Sequence, residues 1–178
     1  KYPYLLRDLE IIRANQVWST DITYLKIPGG FIYLAAIIDW HSKKILSYKI
    51  SNTMDSKLVI EVLTEALNNY GTPEIFNTDQ GSQYTSSDHT DLLLKHDIKI
   101  SMDGKGRATD NIAIERFWRS AKYENIYIQE FKTIKEIKCS MNEYISFYNN
   151  NRFHQTLNYQ KPADVYNNSI AEQLSRVA

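Results

Sequence analysis

Apolar positions fall into short alternating or unbroken runs in the first half of the chain and into helical repeats later, the signature of a mixed α/β fold. Residues 16–27, QVWSTDITYLKI, are rich in β-branched and aromatic side chains and alternate loosely, as a strand does. A Pro28-Gly29-Gly30 turn leads into residues 31–39, FIYLAAIID, a nearly unbroken apolar run that predicts a strand covered on both faces. Residues 44–51, KILSYKIS, complete an antiparallel meander of three strands. From Ser56 to Tyr70 the spacing becomes helical, with Leu58, Val59, Val62, Leu63, Ala66 and Leu67 in register. Gly71 stops that helix and Pro73 lies just beyond. Residues 74–78 form a short strand that runs into Asp79-Gln80-Gly81-Ser82-Gln83. A helix near 86–96 packs Leu92, Leu93 and Leu94, and 98–102 is a further short strand. The stretch Asp103-Gly104-Lys105-Gly106-Arg107 has the composition of a mobile loop.

Residues 110–124, DNIAIERFWRSAKYE, split as a helix into two faces. Ala113, Ile114, Phe117 and Ala121 form a core stripe, while Asn111, Glu115, Arg119 and Lys122 lie within an arc on the other side. Thr109 or Asp110 is the expected N-cap. A carboxylate followed by two cations fits a solvated face with an i,i+4 ion pair, or a metal-binding Glu beside groups that hold a phosphate backbone. A last long helix, about 133–149, carries Ile134, Ile137, Met141, Tyr144, Ile145 and Tyr148, and the tail from Asn149 onward reads as irregular. The element order predicts a five-stranded mixed sheet with helices on both faces and a helical C-terminal extension. Three segments follow: a lead-in (1–15), a core (16–130) and a C-terminal helix and tail (131–178). In such sheets, residues at the ends of neighbouring strands converge into sites.

At 178 residues the chain fits one domain with a substantial core. Its formal charge is zero, so it is no polycation, but residues 1–103 hold 10 basic against 13 acidic residues (net −3) and 104–178 hold 11 against 8 (net +3). That offset is the sense expected of a carboxylate cluster beside a polyanion-binding surface. The single Cys139 excludes an internal disulfide, points to a reducing compartment and reads as a small core residue on its helix. No apolar run is long enough for a membrane span and no signal peptide opens the chain. Because it starts at Lys1 and not at a methionine, a piece of a longer protein is expected.

Three carboxylates carry the candidate chemistry. Asp21 lies mid-strand among apolar neighbours, where a charge is costly unless paired or metal-bound. Asp79 stands where a strand gives way to a glycine turn, and Glu115 is on the two-faced helix. Hard cations such as Mg²⁺ take oxygen ligands and keep several waters, so few protein carboxylates suffice. Two such ions, roughly 3.5–4 Å apart, activate an attacking hydroxyl and stabilise the leaving oxygen of a phosphodiester. His41, His89, His96 and His154 lack zinc-ligand spacing, and no GxxxxGK[ST] loop or GxSxG elbow is present. Asp39, after a covered strand, stays as an accessory candidate; Asp88 and Asp110 read as caps, and Glu124 as the partner of a neighbouring turn.

WSTDITYL, NTDQGSQYTS and DNIAIERFWRSAKYE, with 35 residues between Asp79 and Glu115, resemble the DDE catalytic core of group-three bacterial insertion-sequence transposases, relatives of retroviral integrases. The tail YNNNRFHQTLNYQKPADVY resembles that group's closing motif. The resemblance runs from about residue 13 to 167 and implies a ribonuclease H-like fold and Mg²⁺-dependent DNA cleavage and strand transfer. It implies that Asp21 bridges two ions, with Mn²⁺ able to replace Mg²⁺, and that Asp79 and Glu115 each complete one site. Lys122, seven residues after Glu115, matches a basic position expected to contact terminal DNA, and two helical turns place it on the Glu115 face. Asn77 and Thr78 replace the His and Ser often found before this Asp, and Phe153 replaces a proline of the tail motif. Residues 1–15 are too short for the helix-turn-helix region expected upstream, so the chain is expected to be a catalytic core without its sequence reader.

With DNA as substrate, Arg119 and Lys122 gain a phosphate role. Gln80, Gly81, Gln83 and Tyr84 either line the DNA channel or shape a turn, and Trp118 either stacks on a base or covers the core edge. Arg152 and His154 are divided between DNA and intramolecular bonds. Expected partners are DNA ends, target DNA and further copies of the chain, in the bacterial cytoplasm at the nucleoid. Two other readings stay open: a non-catalytic DNA-binding or regulatory product, and a generic ribonuclease H-like nuclease acting on RNA–DNA hybrids.

Overall fold

The computed structural model describes residues 1–178, apart from the side chain of Ala108. Strands β1 (Val17–Ile27), β2 (Gly30–Asp39) and β3 (Ile45–Ser51) form the antiparallel meander. Strands β4 (Ile75–Thr78) and β5 (Lys99–Met102) extend it in parallel, giving the order β3-β2-β1-β4-β5. Alternation along β2 sends Ile32, Leu34, Ala36 and Ile38 to one face and Ala35 and Ile37 to the other, and all six are fully buried. The unbroken apolar run is therefore a strand covered twice, as its composition predicts.

Helices α4 (Ile112–Ala121) and α5 (Ile134–Asn150) cover the first face through Ile114, Phe117, Ile137, Met141 and Tyr148. Helices α1 (Ser56–Tyr70) and α3 (Ser87–Lys95) cover the second through Leu58, Val62, Leu63 and Leu93, beside a single helical turn, α2 (Ser82–Thr85). Helix α1 begins where the Asp55 carboxylate accepts the Leu58 N–H and ends at Gly71, whose φ of +80° suits glycine.

The tail is not irregular throughout. It forms helix α6 (Pro162–Val177), with Pro162 in the first turn, where its missing N–H is harmless. The buried stripe of α6 is Pro162, Ala163, Tyr166 and Ser169, with Tyr166 in the core cluster under α1 and Ile170 packed against it. Polar bonds dock it as well: Ser169 Oγ accepts the Ala14 N–H, Gln173 Nε2 donates to Ala14 O, and Tyr166 donates to Asn15 Oδ1. The lead-in is tied down at β5 as well, with the Met102 N–H donating to Pro3 O and the Leu5 N–H to Ser101 Oγ.

Three further local expectations change. Cys139 is exposed, because it lies two residues after Ile137 and so about 200° round α5 from the core stripe. A 3₁₀ turn (Ala108–Asn111) precedes α4, which begins at Ile112 without a side-chain cap. Asp110 instead accepts the Gly104 N–H and pairs loosely with Arg107, closing the polar loop on itself. After Ala121 the helix widens into a π-helical turn, Lys122–Ile126.

Candidate active site

The register of β1 against β4 sets the site. Parallel pairing runs from Val17↔Ile75 to Ser19↔Asn77 and stops there. Asp21 stands two residues beyond that last pair on β1, and Asp79 two residues beyond it, just past the end of β4, so both carboxylates sit where the strands part. This is the crevice at the carboxyl ends of parallel strands where ligands bind in open α/β sheets. Asp21 shares a strand face with Leu25, which packs in the cluster that holds α4, so Asp21 faces the helix carrying Glu115.

Charge repulsion records this proximity. The Asp21 carboxyl is pushed up to about 7, first by burial and then by Asp79, with smaller contributions from Glu115 and Asp103; the Ile22 N–H opposes them. Burial raises Glu115 too, though its side chain is largely exposed on α4. Asp79 is held by the turn after it: the Gly81 N–H donates to Asp79 Oδ1 at 2.6 Å. A Cβ at Gly81 would lie 2.8 Å from that oxygen and 2.7 Å from Gln83 Oε1, so a larger residue here would displace the Asp79 and Gln83 side chains. Among the described residues, no three His, Cys, Asp or Glu side chains converge tightly enough to hold one ion together.

The cations divide. Lys122 is half-buried and donates from Nζ to Thr23 Oγ1 at 2.6 Å, two residues from Asp21 on the same strand face. Burial lowers its pKa, and Asp21 works in the opposite direction. Arg119 is exposed, with its guanidinium 5.9 Å from the Tyr123 ring centroid. Gln83 is half-buried beside the Asp79 turn. Tyr84, by contrast, is 1% exposed. Its ring lies against His89 and its hydroxyl 3.4 Å from Thr20 Oγ1, so it supports β1 from the core and lines no channel. Trp118 is likewise core, 5.0 Å from the Phe117 ring. Asp39 is fully buried and accepts from the Asn15 N–H and from the Ser42 N–H and hydroxyl, which makes it the anchor of the β2–β3 turn.

Arg152 and His154 are used within the molecule. Arg152 donates from Nε and Nη2 to Glu124, which also accepts the Tyr144 hydroxyl. His154 is buried and bonds Tyr148 O through Nε2. Glu124 therefore pairs with the tail and not with a neighbouring turn, and the pair pins the π-helical turn that carries Lys122. Arg152→Ala is expected to cost about 1–2 kcal/mol, since the pair is half-exposed, and to lower the melting temperature by roughly 2–6 °C in a calorimetric scan.

Asp103 is the group that sequence reasoning missed. It follows β5 as Asp79 follows β4, and its N–H donates to Thr78 O. Burial, opposed by an Asn77 bond and aided by Asp110, Asp79 and Glu115, pushes its carboxyl up to about 6. Asn77 accepts from Ser101 Oγ and donates to Asp103 Oδ1 at 2.7 Å, stitching β4 to β5. The available signal was the shared position: Thr78-Asp79 and Met102-Asp103 both close short parallel strands.

The Integrase core domain family matches residues 12–108, and a second Integrase core domain description matches residues 96–162. The chain belongs to the integrase core domain family. It is 38% identical over 153 residues to the transposase for insertion sequence element IS904 of Lactococcus lactis, covering 84% of this chain and 60% of the relative. It is 34% identical over 170 residues to transposase InsF for insertion sequence IS3A of Escherichia coli, covering 94% and 59%. The chain thus spans about six tenths of the length of these relatives. The HTLV-2 integrase catalytic core domain in complex with magnesium, in its dimeric form, superposes with a TM-score of 0.65 at 16% identity, covering 87% of this chain and 98% of that one. That likeness is one of fold, and the fold is ribonuclease H-like α/β.

Proposed function

We propose that this chain is the catalytic core of a bacterial insertion-sequence transposase, cleaving phosphodiesters at element ends and joining the freed 3′-OH to target DNA. The observation that carries the reading is the placement of Asp21 and Asp79 two residues past the Ser19↔Asn77 pair, with the charge of Glu115 felt at Asp21. The donor set suits a hard cation: carboxylate oxygens only, one of them pressed by like charge and matched by no resident cation except Lys122. In this reading Asp21 and Asp79 hold one Mg²⁺, and Asp21 and Glu115 a second, with Mn²⁺ as substitute. Pairs of this kind, completed by phosphate oxygens and water, need no three-carboxylate cage.

Bound there, such ions supply charge stabilisation and a reactive oxygen nucleophile at neutral pH. The protein's own part is positioning. Asp79 is fixed by Gly81, Lys122 is aimed by Thr23, and Arg119 and Lys122 on the Glu115 face hold backbone phosphates. Gln83 reaches the strand beside Asp79. In-line attack by water, then by the 3′-OH, requires no covalent enzyme intermediate. The reading assigns DNA ends, target DNA and further copies of the chain as partners. It places the protein in the bacterial cytoplasm at the nucleoid; no helix among the described residues is long and apolar enough to cross a membrane.

Calorimetric titration of Mn²⁺ into the wild type and Asp79→Asn tests the site. Saturable binding that the substitution removes is the expected result. No binding to either protein, with duplex DNA also present, would overturn the metal-dependent reading in favour of a non-catalytic DNA-binding product. Cleavage of an RNA–DNA hybrid in preference to duplex DNA would favour the generic nuclease.

A further inference from the structure

On the flank of α4, away from the carboxylates, lies a concavity of about 210 Å³ lined by Lys43, Ile112, Arg116, Ser120, Arg152 and His154. Ile112, Arg116 and Ser120 recur every fourth residue and form one stripe, about 100° round the helix from Glu115 and Arg119. The turn after β2 supplies a second wall. There Lys43 sits at φ +62°, and its Nζ donates to Trp40 O at 2.7 Å, which folds the side chain inward. The tail supplies the third.

The donors of this hollow are only partly used. Arg152 gives Nε and Nη2 to Glu124 and one N–H of Nη1 to His154 Nδ1 at 3.5 Å, which leaves the second N–H of Nη1. The partner of His154 Nε2 is the carbonyl of Tyr148, which can only accept; the ring proton therefore sits on Nε2 and Nδ1 is bare. Glu124 offsets the charge of Arg152. Lys43 and Arg116 form no ion pair among the described residues. Asp39 is the acid whose charge acts on Lys43, and its oxygens are taken by Asn15 and Ser42. Burial lowers the Lys43 pKa; the charge of Asp39 opposes it, and that of Arg116 adds to it by less. Two cations thus face a shared hollow with no anion between them, a cost that a bound anion removes.

We propose that this concavity is a phosphodiester-binding subsite that takes one backbone phosphate of bound DNA, with Arg116 and Lys43 as charge partners and Arg152 Nη1 as a further donor. A guanidinium at the rim suits phosphate oxygens in a forked geometry. Phosphates recur about every 3.4 Å of axis along each strand, and a helix is about 10–12 Å across. A duplex lying over Glu115 therefore presents phosphates to this flank as well. The subsite rests on the reading that the chain works on DNA, and it adds the side of α4 over which the duplex runs.

The test is fluorescence anisotropy of a short labelled duplex with the full chain, without divalent metal, between about 50 and 200 mM salt. Arg116→Gln is expected to weaken binding about three- to tenfold at low salt and to lower the slope of log K against log salt by about one. Arg116→Lys is expected to restore the slope. Unchanged affinity and slope in Arg116→Gln, while Lys122→Gln weakens binding, would overturn the subsite and leave the transposase reading standing. Loss of DNA affinity in Arg116→Gln beside a wild type that fails to nick DNA with Mn²⁺ would uphold the subsite and overturn the catalytic reading. If inorganic phosphate shifts the Arg116 side-chain NMR signals but Arg116→Gln leaves DNA binding intact, the hollow takes free anions and the DNA assignment fails.

Discussion

Glu115→Gln is expected to abolish Mn²⁺-dependent nicking of supercoiled plasmid while the protein stays folded. The side chain is exposed on α4 and the substitution keeps its shape, so neither core packing nor helix formation changes. What changes is the charge on one ligand of the proposed second ion. A metal ion contributes several kcal/mol to charge stabilisation in such reactions, so its loss corresponds to a rate loss of about 10³-fold or more. DNA binding should survive, because Arg119, Lys122 and the flank of α4 are untouched, and should even tighten slightly as one negative charge leaves the face. A folded Glu115→Gln protein that nicks at the wild-type rate would remove Glu115 from the site. Loss of both nicking and DNA affinity would point to a binding role for this face without chemistry.

The sheet was legible because its apolar code is strong. A loosely alternating β1, a doubly covered β2 and a helical repeat in α1 each combine period with composition, and the order of elements then leaves little choice of architecture. Asp21 was legible as an anomaly, a charge where every neighbour on the strand argues for burial. Helix α6 was not legible, because its apolar positions, Ala163, Tyr166 and Ile170, are few and alternate with Ser169 and Gln173, which dock it through hydrogen bonds. Tyr84 misled for a related reason: beside Gly81 and Gln83 it looks like part of a polar turn, yet one helical turn rotates it under β1 against His89. Asp103 was hidden by its glycine-rich sequel, which suggests a mobile loop; the parallel register of β4 and β5 makes it the neighbour of Asp79. Register is a tertiary property, and a single sequence carries it only through resemblance.

Asp21→Asn is expected to make the metal-free protein more stable at pH 8, and by roughly four tenths as much at pH 5. The folded-state carboxyl lies at about 7 against an ordinary 3.8, so the folded chain binds this proton more tightly than the unfolded one. A group raised in this way contributes stability that is full below pH 3.8 and is lost as pH rises through about 7. At pH 8 the fold therefore carries an ionised Asp21 that burial and the Asp79 charge both oppose, at a cost of roughly 2–4 kcal/mol. Removing the charge should raise the melting temperature by roughly 5–12 °C. Mn²⁺ reverses the comparison: it stabilises the wild type, whose carboxylates it satisfies, and leaves Asp21→Asn largely unmoved. Equal melting temperatures at pH 8 without metal would show that water reaches Asp21 freely and that no strain is stored there. The expected crossover ties the instability of the empty site to its use, since a carboxylate held ionised against like charge is one that a cation binds with most gain.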